Sequence, residues 1–166
     1  MLTERPVNGQ ISEESRQLID EVSGNFTIIA SKFNPKLVDG LLGHCLSILD
    51  SFSQRNTSVI RVPGAFEIPA IAARCADDNP TPDAIICLGA VIQGETTHAE
   101  QITLGVTNAL AQLQISYKIP IIHGVGHYQT LEQAEKRCLY SDHNRGSECA
   151  LVALEMAHLF SQIRTL

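Results

Sequence analysis

Apolar and polar positions along this chain follow two alternating periods: short runs of strand character, then longer stretches with apolar residues three and four apart. Phe26 to Ser31 (FTIIAS) reads as a first buried strand. Asn34-Pro35 then marks a helix start, with asparagine as N-cap and proline at the first helical position. Leu37, Val38, Leu41, Leu42, Cys45, Ile48 and Leu49 follow at helical spacing. Asp50 to Asn56 is polar loop, Thr57 to Val62 is a β-branched strand, and Pro63-Gly64 breaks it. A second helical stripe covers Phe66 to Ala76 through Ile68, Ile71, Ala72 and Cys75, and Asp77 to Pro82 is loop. Ala84 to Leu88 (AIICL) is continuously apolar, as expected of a parallel strand covered on both faces. Thr97 to about Leu113 reads as helix, Ile119 to Ile122 as strand and Thr130 to Cys138 as a shorter helix. Asn144 to Phe160 closes the pattern, with Cys149, Val152, Ala153, Met156, Ala157 and Phe160 on one face.

Strands alternating with helices imply βαβ units and a mainly parallel sheet between helical layers. No internal repeat or linker interrupts the pattern, so one domain is expected. Ligands of such sheets collect at the carboxyl ends of the strands. The informative loops are therefore Lys32-Phe33-Asn34, Pro63 to Phe66, Gly89 to Thr97 and His123 to Gln129, each read as following a strand.

Composition narrows the function classes. The chain has 166 residues, 44% of them hydrophobic and 18% charged, enough for one domain with a sizeable core. A formal net charge of -6 argues against an electrostatic nucleic-acid binder, though not against a local pocket for a small anion. No apolar run approaches the roughly 20 residues that span a bilayer. The polar lead, Met1 to Asn25, lacks a signal-peptide core, and Glu4, Glu13 and Glu14 carry the wrong charge for a transit peptide. A cytoplasmic location is expected. The five cysteines are odd in number and form no C-x-x-C pair, which fits small buried thiols in a reducing compartment.

Candidate chemistry gathers in the loops. Gly89 to His98 (GAVIQGETTH) runs from a buried strand into a helix, and Thr97-His98-Ala99-Glu100 has capping-box form. Free N–H groups and the positive end of the helix dipole suit a phosphate here. The same field disfavours imidazolium at His98 and leaves a neutral ring able to accept and return a proton. A tight turn with an exposed histidine fits these residues equally well. In Pro63 to Pro69 (PGAFEIP), small residues admit a flat ligand, although local pattern favours Phe66 in the core. Phe33 can stack on a heterocycle; Ser31-Lys32-Phe33-Asn34-Pro35 lacks the hydroxyl-rich phosphate turn of a flavin-mononucleotide carrier. Arg137 and Arg145 can pair with a phosphate oxygen, or simply be solvated. His44 and His158 read as helix-surface or packing residues. His123 and His127 follow a strand end but have no metal spacing with a carboxylate, so no metal is expected.

Lys32-Phe33-Asn34, VPGAFEIP (Val62 to Pro69) and GAVIQGETTH (Gly89 to His98), in this order and spacing, resemble the lumazine synthase family. The likeness continues through Ile119-Pro120, Gly124, Leu131 to Ala134, Arg137, Asn144-Arg145-Gly146 and Ala153 to Met156, covering roughly Phe26 to Phe160. It implies a flavodoxin-like α/β three-layer sandwich with a four-stranded parallel sheet, spanning 26–166 after an N-terminal extension of 1–25. It also implies condensation of 5-amino-6-(D-ribitylamino)uracil with 3,4-dihydroxy-2-butanone 4-phosphate to 6,7-dimethyl-8-ribityllumazine, without cofactor or metal. Residue by residue, Phe33 matches the stacking aromatic, and Ala65, Phe66 and Glu67 match the ribityl and pyrimidine contacts. Ala90, Val91 and Ile92 match the pocket wall, and Glu95 and Thr96 the phosphate turn, Glu95 through its backbone N–H. His98 matches the general acid/base, and Arg137 the phosphate-binding arginine donated across a subunit interface.

The resemblance further implies a homo-oligomer built on pentamers, some relatives forming shells, and association with riboflavin synthase. The chain departs from the family pattern at several positions. His123 stands where an aromatic is common, Gly126-His127-Tyr128 where apolar or hydroxyl residues are common, and Arg145 where a lysine is common. The His123 to Tyr128 departures motivate a second reading, a non-catalytic lumazine or flavin binder, and the assembly of relatives into shells a third, a shell subunit.

Overall fold

The computed structural model describes residues 24–52 and 55–164, in which strands and helices alternate as the apolar periodicity predicts. In chain order they are β1 (Gly24–Ser31), α1 (Pro35–Asp50), β2 (Arg55–Val62), a 3-10 turn (Ala65–Glu67), α2 (Ile68–Ala76), β3 (Ala84–Ile92), α3 (His98–Tyr117), β4 (Ile121–Tyr128), α4 (Leu131–Cys138) and α5 (Arg145–Arg164). The four strands form one parallel sheet in the order β2-β1-β3-β4.

Alternation along the strands divides the core into two layers. Phe26, Ile28, Ile86 and Leu88 pack against Leu41 and Cys45 of α1 and Leu154 of α5. Ile29, Ile85, Cys87 and Val125 face Ile68 and Ala72 of α2 and Val106 and Leu110 of α3. The seven residues Ala84 to Ala90 of central strand β3 are all buried, which accounts for their apolar run. Each fully buried Ile or Leu contributes about 1.5–3 kcal/mol relative to exposure. Helices α1 and α5 approach closely at Gly146, where a Cβ would lie 2.0 Å from the Leu41 carbonyl oxygen.

Chain direction positions the site. After β1 the chain passes through α1 to β2 at one edge, and after β3 it passes through α3 to β4 at the other. Neighbouring strands β1 and β3 thus send their connections opposite ways, which opens a crevice at their carboxyl ends.

Several boundaries differ from the sequence pattern. Strand β1 begins at Gly24, earlier than Phe26, and the rest of the expected extension, residues 1–23, lies outside the described residues. Strand β3 continues past Leu88 to Ile92, so Gly89-Ala90-Val91-Ile92 is strand rather than loop. Gly89 fits there because it packs against Val125, 3.3 Å from the position of a Cβ, and not because the chain turns. Strand β4 spans Ile121–Tyr128, placing His123 and His127 within it rather than after it. Pairing with β3 sustains β4 through its glycines, up to the Ile92–Tyr128 pair. Helices α3 and α5 run on to Tyr117 and Arg164.

Candidate active site

A cavity of about 650 Å³ occupies the crevice at the carboxyl ends of β1, β2 and β3. Strand β1 supplies Ser31 and the following turn supplies Phe33. That turn is pinned by the Lys32 N–H donating to the Val62 carbonyl at 2.7 Å. Asn34 does not cap α1 with its side chain as its position suggests. It adopts the left-handed conformation, φ 55° and ψ 57°, and its amide donates to the Ala90 carbonyl at 2.9 Å. The asparagine therefore ties the β1 turn to the end of β3, with Phe33 left 69% exposed at the rim.

The segment after β2 contributes Gly64, Ala65, Phe66 and Glu67. Its 3-10 turn buries Ala65 and rotates Phe66 outward, 64% exposed, so Phe66 lines the cavity rather than the core. From β3 and its following turn come Ala90, Val91, Ile92, Gly94 and Thr96, and from α3 come His98, Ala99, Gln101 and Ile102. Gln101 and Ile102 were not singled out from the sequence. Their spacing of three and four from His98, one helical turn further along the same face, was the available signal.

The start of α3 is open. Thr97 is the N-cap residue, but its side chain makes no capping hydrogen bond, so the expected capping box is not formed. The Thr96 hydroxyl lies 3.4 Å from the His98 N–H instead. Among the described residues, no hydrogen bond is made by the N–H groups of Gly94, Glu95, Thr96 and Thr97. Four such donors at a helix N-terminus form a natural cradle for an anion. A side-chain cap does form at α4, where Thr130 accepts from the Gln133 N–H at 3.2 Å and the Gln133 side chain accepts from the N–H of Gln129, one residue before the cap, at 3.0 Å.

The cavity gathers every residue proposed from the sequence except Glu95, His123 and Arg137. Glu95 is an exposed member of the turn, between the lining residues Gly94 and Thr96. His123 and Arg137 belong to a second, connected cluster on β4, α4 and α5. Arg137 donates to the Glu148 carboxylate at 2.7 Å and to the His143 carbonyl. Arg145 donates to the same carboxylate oxygen at 3.2 Å and to the His123 carbonyl at 2.8 Å. Two cations sharing one carboxylate leave the cluster with surplus positive charge, well suited to a phosphate.

The His123 ring meets the Thr107 hydroxyl at 2.9 Å. That hydroxyl already donates to the Thr103 carbonyl at 2.8 Å, so it accepts from the imidazole, whose Nε2 carries the hydrogen. Burial, with Arg145 nearby as a lesser cause, lowers the His123 pKa from its ordinary value of 6.5. All five cysteines are free and buried, and burial raises the Cys149 thiol to about 11. Among the described residues, no group of three or more His, Cys, Asp and Glu side chains is placed to hold a metal ion. No described helix is long and apolar enough to cross a membrane.

Comparison with known proteins covers both clusters. Residues 23–161 match the family model described as 6,7-dimethyl-8-ribityllumazine synthase, a span that contains the cavity, His123 and Arg137. The chain belongs to this family. A protein of Leuconostoc mesenteroides subsp. mesenteroides with that name is 39% identical over 152 residues, covering 90% of this chain and 97% of its own. Another of the same name, from Stenotrophomonas maltophilia, is 38% identical over 143 residues, covering 85% and 92%. Membership assigns the chain the transferase activity of a lumazine synthase, in riboflavin biosynthesis. Within the family frame, the cavity holds the VPGAFEIP and GAVIQGETTH segments side by side, although nearly 20 residues separate them along the chain.

Proposed function

We propose that the cavity aligns 5-amino-6-(D-ribitylamino)uracil with 3,4-dihydroxy-2-butanone 4-phosphate, and that residues of two subunits complete each site. One observation carries this reading: the family's motif residues from three separate strand ends line a single cavity at the sheet's switch point. Phe33 stacks on the pyrimidine, while Ala65, Phe66 and Glu67 contact the ring and ribityl chain. Ala90, Val91 and Ile92 form the wall. The 94–97 turn binds the phosphate through backbone N–H groups, with Glu95 contributing its N–H rather than its carboxylate. His98 relays protons during imine formation, phosphate leaves, and ring closure follows. Alignment supplies most of the acceleration, effective molarities reaching about 10⁵ M or more in favourable cases. General acid/base help from His98 adds on the order of 10².

The positive cluster bears on assembly. Arg137 and His123 do not line their own chain's cavity, yet by resemblance Arg137 stands for the family's phosphate-binding arginine and His123 for an aromatic of its site. The exposed side chains of Phe66 at the cavity rim and of Leu104 on α3 offer apolar surface for a second copy, which would bring its own Arg137 and His123. A homo-oligomer built on pentamers, associated with riboflavin synthase, belongs to the same reading. The five buried free thiols support a reducing, cytoplasmic location. The experiment is direct: both substrates are mixed with the protein and lumazine fluorescence is followed, with particle size measured by light scattering. Product formation by a multi-subunit particle is expected; tight pyrimidine binding without product rejects the catalytic roles.

A further inference from the structure

The turn at residues 93–97 is held from behind by two side chains that do not line the cavity. The Gln93 amide nitrogen donates to the Gly94 carbonyl at 2.9 Å and to the Thr96 carbonyl at 2.8 Å. Two carbonyl partners fix that end of the amide as the nitrogen, so the end facing Nε2 of His127 at 2.9 Å is Oε1, an acceptor only. That ring nitrogen therefore carries a hydrogen. A trans peptide sets each carbonyl opposite the next residue's N–H. Turning the Gly94 and Thr96 carbonyls toward Gln93 thus directs the N–H groups of Glu95 and Thr97 to the other side. At its root, the Gln93 N–H donates to the Tyr128 carbonyl at 2.8 Å.

The relay starts in the alternation of β4. Tyr128 belongs to the core layer of α1 and α5, and its ring folds back over Gly126, where a Cβ would lie 2.2 Å from the phenol oxygen. The buried Cys138 thiol donates to that oxygen at 3.5 Å. Glycine at 126 makes room for the ring, the ring anchors the end of the strand, and His127 is presented on the opposite face. Gly126, His127 and Tyr128, where the sequence departs from the family pattern, act as one unit.

We propose that His127, acting through Gln93, is a positioning residue that orients the N–H groups of Glu95 and Thr97 toward the substrate's phosphate. This inference rests on reading the turn as the phosphate site. The test uses the full chain in its native assembly, with inorganic phosphate as competitor of the butanone phosphate. His127→Leu and Gln93→Met should each raise the butanone-phosphate KM and the phosphate Ki about five-fold, the scale of one lost hydrogen bond. The pyrimidine KM and kcat should move by less than about two-fold. His127→Gln, whose amide reaches about as far as Nε2, should restore both phosphate readouts. The double variant should match Gln93→Met alone, because the two side chains act in series. Equal rises in both KM values, additive losses, or failure of glutamine to rescue would overturn the relay. If phosphate competes in the unaltered chain but His127→Leu leaves its Ki unchanged, the relay alone falls. If phosphate does not compete at all, the phosphate-turn reading falls and takes the relay with it.

Discussion

The cavity and the positive cluster are built on opposite plans. In the cavity, Phe33, Phe66 and His98 are exposed and the N–H groups of the 94–97 turn are unpaired among the described residues. In the cluster, Arg137, Glu148, Arg145 and the His123 carbonyl bond one another in a chain. An open surface gains from filling by a ligand or a second copy, whereas a paired cation is held ready in one orientation. On the proposed two-subunit reading, the difference teaches that one chain would carry both halves of a site without closing either.

Separating the halves gives the largest expected effect. Subunits carrying His98→Ala, slowed in turnover, and subunits carrying Arg137→Ala, weakened for butanone phosphate, should regain activity when co-assembled and assayed at low butanone phosphate. Random mixing leaves about a quarter of the sites with both residues intact if each site spans two subunits. A mixture no more active than its components would place both residues in one subunit's site. By itself, His98→Ala should lower kcat by about 10²-fold while leaving measurable turnover and intact binding. Complete loss in a folded, substrate-binding protein would mean that alignment contributes less and the imidazole more.

The positive cluster should respond more gently. Glu148→Gln removes the charge that Arg137 and Arg145 share, and freeing Arg137 should raise the butanone-phosphate KM several-fold, roughly the scale of one charge-assisted hydrogen bond. A change confined to the pyrimidine KM would detach Glu148 from the phosphate side. The smallest effect concerns pH. Because the folded His123 pKa lies below 6.5, the unfolded chain binds the additional proton more readily. Its contribution to stability is complete above that value and declines as pH falls through it toward the folded pKa. Replacing His123 with phenylalanine should flatten the loss of thermal stability over that window, measurable as melting temperature against pH.

The apolar periodicity determined a large part of this molecule: the order of strands and helices, the burial of Ala84 to Leu88, and the parallel sheet. These follow from local spacing because a strand buried on both faces and an amphipathic helix each leave a distinct period. The loops after β1 and β2 were legible for the same reason, since connections in such a sheet have a known side, whereas Gly89 to Ile92 and His123 to Tyr128 proved to be strand. Tertiary pairing decided the rest. Strand β4 continues through Gly124 and Gly126 only because β3 runs beside it, and no local propensity announces a neighbour. Asn34 left its capping role because the Ala90 carbonyl lay within reach, and Phe66 left the core because a 3-10 turn rotated it. The meeting of Gln93 with His127, 34 residues apart, exists only once two strands are adjacent. Sequence spacing reports which face a residue occupies; only the packed sheet determines what stands across from it.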